Sequence, residues 1–337
     1  MALVITNDSQ RVLFREDKMR TAEELSSATI IEEKVDLAFD FGVGNYRELC
    51  FEGLHIAYGK ANVFENLHMF METPDTPTMV SQVFVLHGDI TAYLPGTNAC
   101  QYTSLEHNLV YNPNLLEKTE VRKQDGMEII SLSFTKERFL ALAENNGDVL
   151  SRFGEQVAGN RIVFLNKEHN QPITTDMIRI LTEIRNCQFQ GGIKKLFLQS
   201  KIFELLALQC EQYERAGWNN TDAVNISAAD RDKIYHARDL LLSAVQQPPS
   251  LHDLSRLAGL NEFKLKTGFK KIFDNTVFGY LNDYRLEQAR QKLMQHDYPL
   301  TAIADELGYS SLQHFCNAFR KKYGVSPGKA RWNKRLS

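Results

Sequence analysis

The chain has 337 residues, enough for two ordinary domains that each bury a core, and its 43% hydrophobic and 24% charged residues are globular composition. No stretch approaches the ~20 apolar residues of a membrane helix, and the opening MALVITNDSQRVLF lacks the basic-then-apolar pattern of a leader. The net charge of −3 conceals an asymmetry: from Ile226 onward 18 Lys and Arg stand against 11 Asp and Glu, leaving 21 against 31 in the first 225 residues. An acidic front half on a basic back half points to two jobs, the second on a polyanion.

Roughly the first 135 residues read as strands and turns. YRELCFEGLHIAYG, FENLHMFME, TMVSQVFVLHG and MEIISLSF are short, rich in β-branched and aromatic residues, and separated by Gly, Asn, Pro and Asp. That spacing predicts an antiparallel β-barrel or sandwich. From Lys136 the pattern turns helical, through KERFLALAEN, DVLSRFGEQVA and TTDMIRILTEIRNC to IKKLFLQSKIFELLALQCEQYE. The last of these has an apolar face wide enough either for a homodimer contact or for packing across its own barrel. Residues 216–227 (AGWNNTDAVNIS) are polar and aperiodic, a linker between a domain over 1–215 and one over 228–337.

The back half reads as helix throughout, an all-α domain that makes the whole chain α+β. Ser227 with Asp230, and Ser250 with Asp253, fit the capping box, and Pro248 and Pro249 stop the first helix near Val245. Pro327 opens a last short helix behind Ser326. An internal repeat is the informative feature. Leu251, Leu254 and Gly259 recur 49 residues later as Leu300, Ile303 and Gly308. Past the turn the offset is 50, matching Leu265 to Phe315, Phe269 to Phe319, Lys270-Lys271 to Arg320-Lys321 and Phe273 to Tyr323. Each copy is a short helix, a glycine turn and a second helix starting at a polar cap, Asn261 in one and Ser310 or Ser311 in the other. This is a helix-turn-helix pattern, and two copies on the basic half are a far stronger signal than one.

Over about Asp230 to Trp332 the chain resembles the AraC/XylS-type transcription regulators, most specifically through IADELGYSSLQHFCNAFRKKYGVSPGKAR. Asp274 departs from the pattern, standing where the first repeat usually carries glycine. Through IRNCQFQGGIKKLFLQSKIFELLALQ the front half resembles the ligand domain of PchR-type regulators, which respond to ferric siderophores. The resemblance implies a cupin-like front domain that binds a small-molecule effector, in the PchR case a ferric siderophore or similar chelate, and forms a homodimer. It also implies a back domain that binds double-stranded operator DNA and, in an activator, meets RNA polymerase.

In that family the second helix of each unit enters the major groove. Leu265, Phe269 and Ile272 recur at helical spacing as core, which leaves Glu262, Phe263, Lys266, Thr267 and Lys270 outward. Carried over by motif, the base readers are Phe263, Lys266 and Thr267 in the first unit and Gln313, His314 and Asn317 in the second. Lysine donates to guanine O6/N7, Gln and Asn pair with adenine, and Phe or a Thr methyl packs on the thymine methyl. Lys270, Lys271, Arg320, Lys321 and Lys322 suit phosphates, which give affinity without sequence information. A helix from about Val277 to Gln295, capped by Thr276, joins the units; at ~1.5 Å per residue it spans ~28 Å, against ~34 Å between successive major-groove faces.

Other chemistry is weakly represented. Five scattered cysteines form no CxxC pair, as expected of reduced thiols in a cytoplasm. None of the nine histidines has zinc-ligand spacing to a second ligand, and His55, His68, His87 and His107 form no HxH-plus-Glu cluster, so neither metal nor cofactor is expected. GxSxG, P-loop and strand-borne GxGxxG motifs are missing, which argues against an enzyme with a DNA-targeting tail. A constitutive DNA-binding protein whose front half serves only assembly is the remaining alternative.

Overall fold

The computed structural model describes residues 3–16, 20–72, 77–114, 116–144, 146–167, 169–218, 228–273, 275–295 and 298–330. Most of the expected linker, together with Ser227, Asp274 and Trp332, lies outside the described residues. The chain divides into two units, Met1–Ile173 with Glu183–Thr221 and Thr174–Thr182 with Asp222–Ser337.

The first unit opens with β1 (Leu3–Asn7), β2 (Val12–Glu16) and a single helical turn, α1 (Ala22–Leu25), closed by the Thr21–Glu24 capping box. Ten strands follow: β3 (Ile31–Phe39), β4 (Gly42–Phe51), β5 (Leu54–Val63), β6 (Leu67–Glu72), β7 (Met79–His87), β8 (Ile90–Tyr93), β9 (Cys100–Tyr102), β10 (Glu106–Tyr111), β11 (Leu116–Val121) and β12 (Gln124–Thr135). Helix α2 (Lys136–Ala143) begins where the periodicity changes, and α3 (Asp148–Ala158) follows. Two short strands that the helical reading missed, β13 (Val163–Phe164) and β14 (Gln171–Pro172), precede α4 (Thr175–Arg185), most of which belongs to the second unit, and α5 (Gly191–Trp218), which completes the first.

All pairings are antiparallel, in two sheets ordered β2-β1-β6-β11-β8-β9 and β13-β10-β7-β12-β5-β4-β3, with β14 also on β10. The sheets stay open, so the barrel-or-sandwich expectation resolves to a sandwich. Alternate residues of the larger sheet point to opposite faces. On one face Val80, Phe84, Leu132 and Phe134 are wholly buried, and α5 supplies Leu198, Ile202, Leu205 and Leu206. Each such side chain contributes about 1.5–3 kcal/mol by leaving water. Phe134 stacks on Phe203 at 6.1 Å, and Gln82 donates to the Ile202 carbonyl at 3.3 Å. The wide apolar face of α5 is therefore covered by its own sheet, and no dimer partner is needed to explain it. Among its described residues the exposed large apolar side chains are Ile193 at 66% and Leu196 at 70% in the first turns, and Tyr213 at 42% farther along.

The second unit carries α6 (Ala228–Ser243), α7 (Leu251–Leu257), α8 (Glu262–Phe273), α9 (Val277–Gln295), α10 (Leu300–Glu306) and α11 (Leu312–Tyr323). The caps read from sequence do the starting. Ser250 accepts from the Asp253 amide at 3.1 Å, Asn261 from Lys264 at 2.8 Å, Thr276 from Gly279 at 3.1 Å and Ser311 from His314 at 3.2 Å. Residues 327–330 form the short final turn behind Ser326.

Both repeat glycines are left-handed, Gly259 at φ +67° and Gly308 at φ +72°, but their surroundings differ. A Cβ on Gly259 would meet only the end of Lys233, at 3.8 Å, whereas one on Gly308 would overlap the Gln246 carbonyl oxygen. Gly259→Ala should cost about 1–2 kcal/mol from conformation alone. Gly308→Ala adds a backbone clash and should cost about 3 kcal/mol. Urea denaturation of the two variants checks the order.

Candidate nucleic-acid interface

The outward face of α8 forms because its inward face is fully used. Leu265 and Phe269 are at 0% exposure and Phe273 at 7%, packed with Tyr280 of α9 at ring distances of 6.1 Å from Phe269 and 5.0 Å from Phe273. Gly268 lets α8 approach α6 so closely that a Cβ would overlap Ile234. One helical turn away Phe263 stands 69% exposed, a position no phenylalanine takes for packing within this unit. Lys266 is exposed beside it, with Nζ 3.3 Å from Glu262, and Thr267 is half-buried.

Helix α11 repeats the arrangement. Phe315 and Phe319 are buried against Tyr309 and Tyr323, and Gln313, His314 and Asn317 are exposed on the other side. Ser310, one of the two cap candidates, instead meets His314 Nδ1 at 2.8 Å. That contact orients the imidazole.

The five expected phosphate contacts separate on inspection. Lys270, Arg320 and Lys321 are exposed, while the Lys271 side chain lies outside the described residues. Lys322 is turned inward to an ion pair with Asp283 of α9 at 2.6 Å, an engagement that spacing in sequence gave no sign of. Its charge is largely spent on fixing α11 to the connector.

Helix α9 belongs to both repeats. Val277, Tyr280 and Leu281 are buried toward the first, while Leu286, Ala289 and Leu293 share one core with Ile303, Leu307, Phe315 and Phe319 of the second. Arg285 donates to the Val245 carbonyl from Nε at 3.0 Å and lies over the Tyr309 ring at 5.7 Å. Two equivalent outward faces are thus held at the two ends of one 19-residue helix.

The face of the larger sheet opposite its helices is apolar in part, where Val63 and Val85 cluster with Ile5, Leu67 and Val121, and polar beside that cluster. There Ser81 meets Ser133 at 2.8 Å, and Glu48 accepts from Tyr46 at 3.1 Å and pairs with His55 at 2.9 Å and with Arg20. Burial opposes ionisation of Glu48, but His55 and Arg20 outweigh it and hold its carboxyl down to about 2. On the facing sheet Glu117, bonded only to Thr119 at 3.4 Å, is pushed up by burial. Among the described residues no three His, Cys, Asp or Glu side chains are grouped to hold a metal.

Comparison with known proteins gives two family matches along the chain. A helix-turn-helix domain model matches residues 254–333, and the model of the regulatory protein PchR N-terminal domain matches residues 44–222, more than half of the chain. Regulatory protein PchR of Pseudomonas aeruginosa is 38% identical over 126 residues, 37% of this chain and 42% of that protein. The aligned stretch thus spans less than half the length of PchR. Multiple antibiotic resistance protein MarA of Escherichia coli is 26% identical over 112 residues, 33% of this chain and 82% of MarA. Among solved structures, an AraC-type regulator from Chromobacterium violaceum is similar over 32% of this chain and 96% of its own, at 26% identity and a TM-score of 0.30. An apo ToxT variant from Vibrio cholerae is similar over 91% of this chain and 98% of its own, at 13% identity and a TM-score of 0.33. By the match over residues 44–222 the chain belongs to the PchR N-terminal domain family, and it carries an AraC-type helix-turn-helix domain behind that region.

Proposed function

We propose that this chain is a sequence-specific DNA-binding transcription regulator controlled by a small-molecule effector. The observation that carries the reading is the pair of outward faces at the two ends of α9, each built on the same buried aromatic pattern. Phe263, Lys266 and Thr267 of α8, and Gln313, His314 and Asn317 of α11, read base edges; Lys270, Lys271, Arg320 and Lys321 hold phosphates. Lys322 joins them only if it leaves Asp283.

On this reading residues 1–215 form the sensing and assembly domain, 216–227 the linker and 228–337 the DNA-binding domain. The polar cluster around Glu48, beside the apolar core between the two sheets, supports an effector site there, for which a ferric siderophore or similar chelate follows from likeness to PchR. A homodimer and, for an activator, contact with RNA polymerase complete the partners. Among the described residues no helix is long and apolar enough to cross a membrane, which is consistent with work in the cytoplasm.

The test is a substitution series on the full chain, with DNA binding measured against a set of single-base operator variants. Lys266→Ala and Asn317→Ala should each cost about 1–3 kcal/mol at one base position and relax preference there. Lys321→Ala should weaken all sequences about equally and flatten the salt dependence by roughly one unit of slope. Uniform loss from the first two would mean that these side chains meet phosphates, not bases. Repeating the titration with a ferric chelate present tests the effector.

A further inference from the structure

Strand β3 closes one end of the larger sheet, and it is an unusual edge. The other terminal strands are blunted: β2 has five residues beside a bulge at Ile5/Thr6, β9 has three, and β13 and β14 have two each. Short or bulged edges are how sheets avoid pairing with other chains. Strand β3 has nine residues in unbroken register with β4, and Glu32 to Asp36 are all exposed.

We propose that β3 is the homodimer contact, pairing antiparallel with β3 of a second copy about a two-fold axis at Val35. The inference rests on the reading above that the chain works as a homodimer. Opposed residues of an antiparallel pair share a face, so a two-fold axis normal to the sheet must pass through a residue, not between two. Among the possible centres the side chains choose one. At Glu33, Lys34 or Asp36 a charged residue faces its own copy, and at Leu37 the ladder loses nearly half the strand.

Centred on Val35, the whole of Ile31–Phe39 pairs. Lys34 lies opposite Asp36 twice, Ile31 opposite Phe39 twice, and Val35, 37% exposed, opposite itself. No like charges meet. Lys34 is 67% exposed, and the Glu32 carboxylate 3.5 Å from it is already held by Arg47 at 2.9 Å and Lys194 at 2.6 Å. The Lys194 contact also places the bare start of α5 beside this edge.

Sedimentation equilibrium of the full chain without DNA tests the contact. The wild-type chain should be dimeric. Lys34→Asp and Asp36→Lys should each weaken self-association roughly tenfold or more, because two attractive cross-strand pairs become repulsive. The double variant K34D/D36K should restore it. Both positions are exposed, and recovery in the double variant excludes misfolding as the cause. A dimer indifferent to both single changes, or one not recovered in the double variant, overturns the contact but leaves the homodimer reading intact. A monomeric wild-type chain overturns both, and leaves DNA recognition to be judged by the base-variant titration.

Discussion

Acidification from pH 6.5 to 4 should destabilise the first unit by about 3 kcal/mol through one buried histidine. His107 is on β10, at 0% exposure beneath α5. Its Nδ1 accepts from Gln209 Nε2 at 2.9 Å, and its Nε2 donates to Gln212 Oε1 at 2.8 Å. Both ring nitrogens are thereby satisfied in the neutral form. Burial lowers its pKa to about 4, against the smaller opposing effect of Gln212. In the unfolded chain the ring takes a proton near pH 6.5, while in the folded chain it resists until about 4. Stability is therefore intact above the unfolded value, falls through this window and levels off below it.

Glu48, held down to about 2, removes stability as the pH falls from its ordinary value of 4.5 toward 2, and Glu117, pushed up by burial, acts in the opposite sense. The measurement is accordingly a difference. Urea midpoints of the wild-type chain and His107→Gln are compared at neutral pH and at successively lower values. The wild-type curve should drop relative to the variant between pH 6.5 and 4. Parallel curves would mean that the imidazole is hydrated or protonated in the folded chain.

How legible this molecule is in its sequence depends on how far apart the deciding residues lie. Helix starts at Ser250, Asn261, Thr276 and Ser311 were readable because a cap and its target amide are three residues apart. The outward faces of α8 and α11 were readable for the same reason: Leu265 with Phe269, and Phe315 with Phe319, mark the buried side by helical spacing alone. What stayed hidden is non-local. Strand β3 was not among the segments picked out by pattern, and that it ends a sheet depends on pairing order across most of the unit. The turn of Lys322 onto Asp283 joins residues 39 apart, and lysine at the end of a basic run gives no hint of it. The covered face of α5 could be read only as apolar. Which surface covers it was settled by Phe84, Leu132 and Phe134, residues that themselves alternate on strands far upstream.

The connector shows how this matters for experiment. If α9 sets both distance and rotation between the reading faces, two alanines inserted within it should abolish bipartite recognition. Two residues turn an α-helix by ~200° and lengthen it by only ~3 Å, so phase fails while reach is kept. The place of insertion is decided by packing. Leu281 is the last buried contact toward the first repeat and Leu286 the first toward the second, so the junction after Tyr284 divides the two cores. An insertion further along, between Ala289 and Leu293, would instead split the second core. The mutant gives up the Asp283–Lys322 pair and the Arg285 bond to the Val245 carbonyl, but each repeat keeps its own aromatic cluster. Circular dichroism should therefore show native helix content. Specific affinity should fall by roughly a thousandfold or more, to the level of non-specific binding. Salt-sensitive binding to any duplex should survive, because Lys270, Arg320 and Lys321 remain exposed. A folded insertion mutant that still protects both halves of its operator with native affinity would show the second repeat to be flexibly tethered or outside the groove.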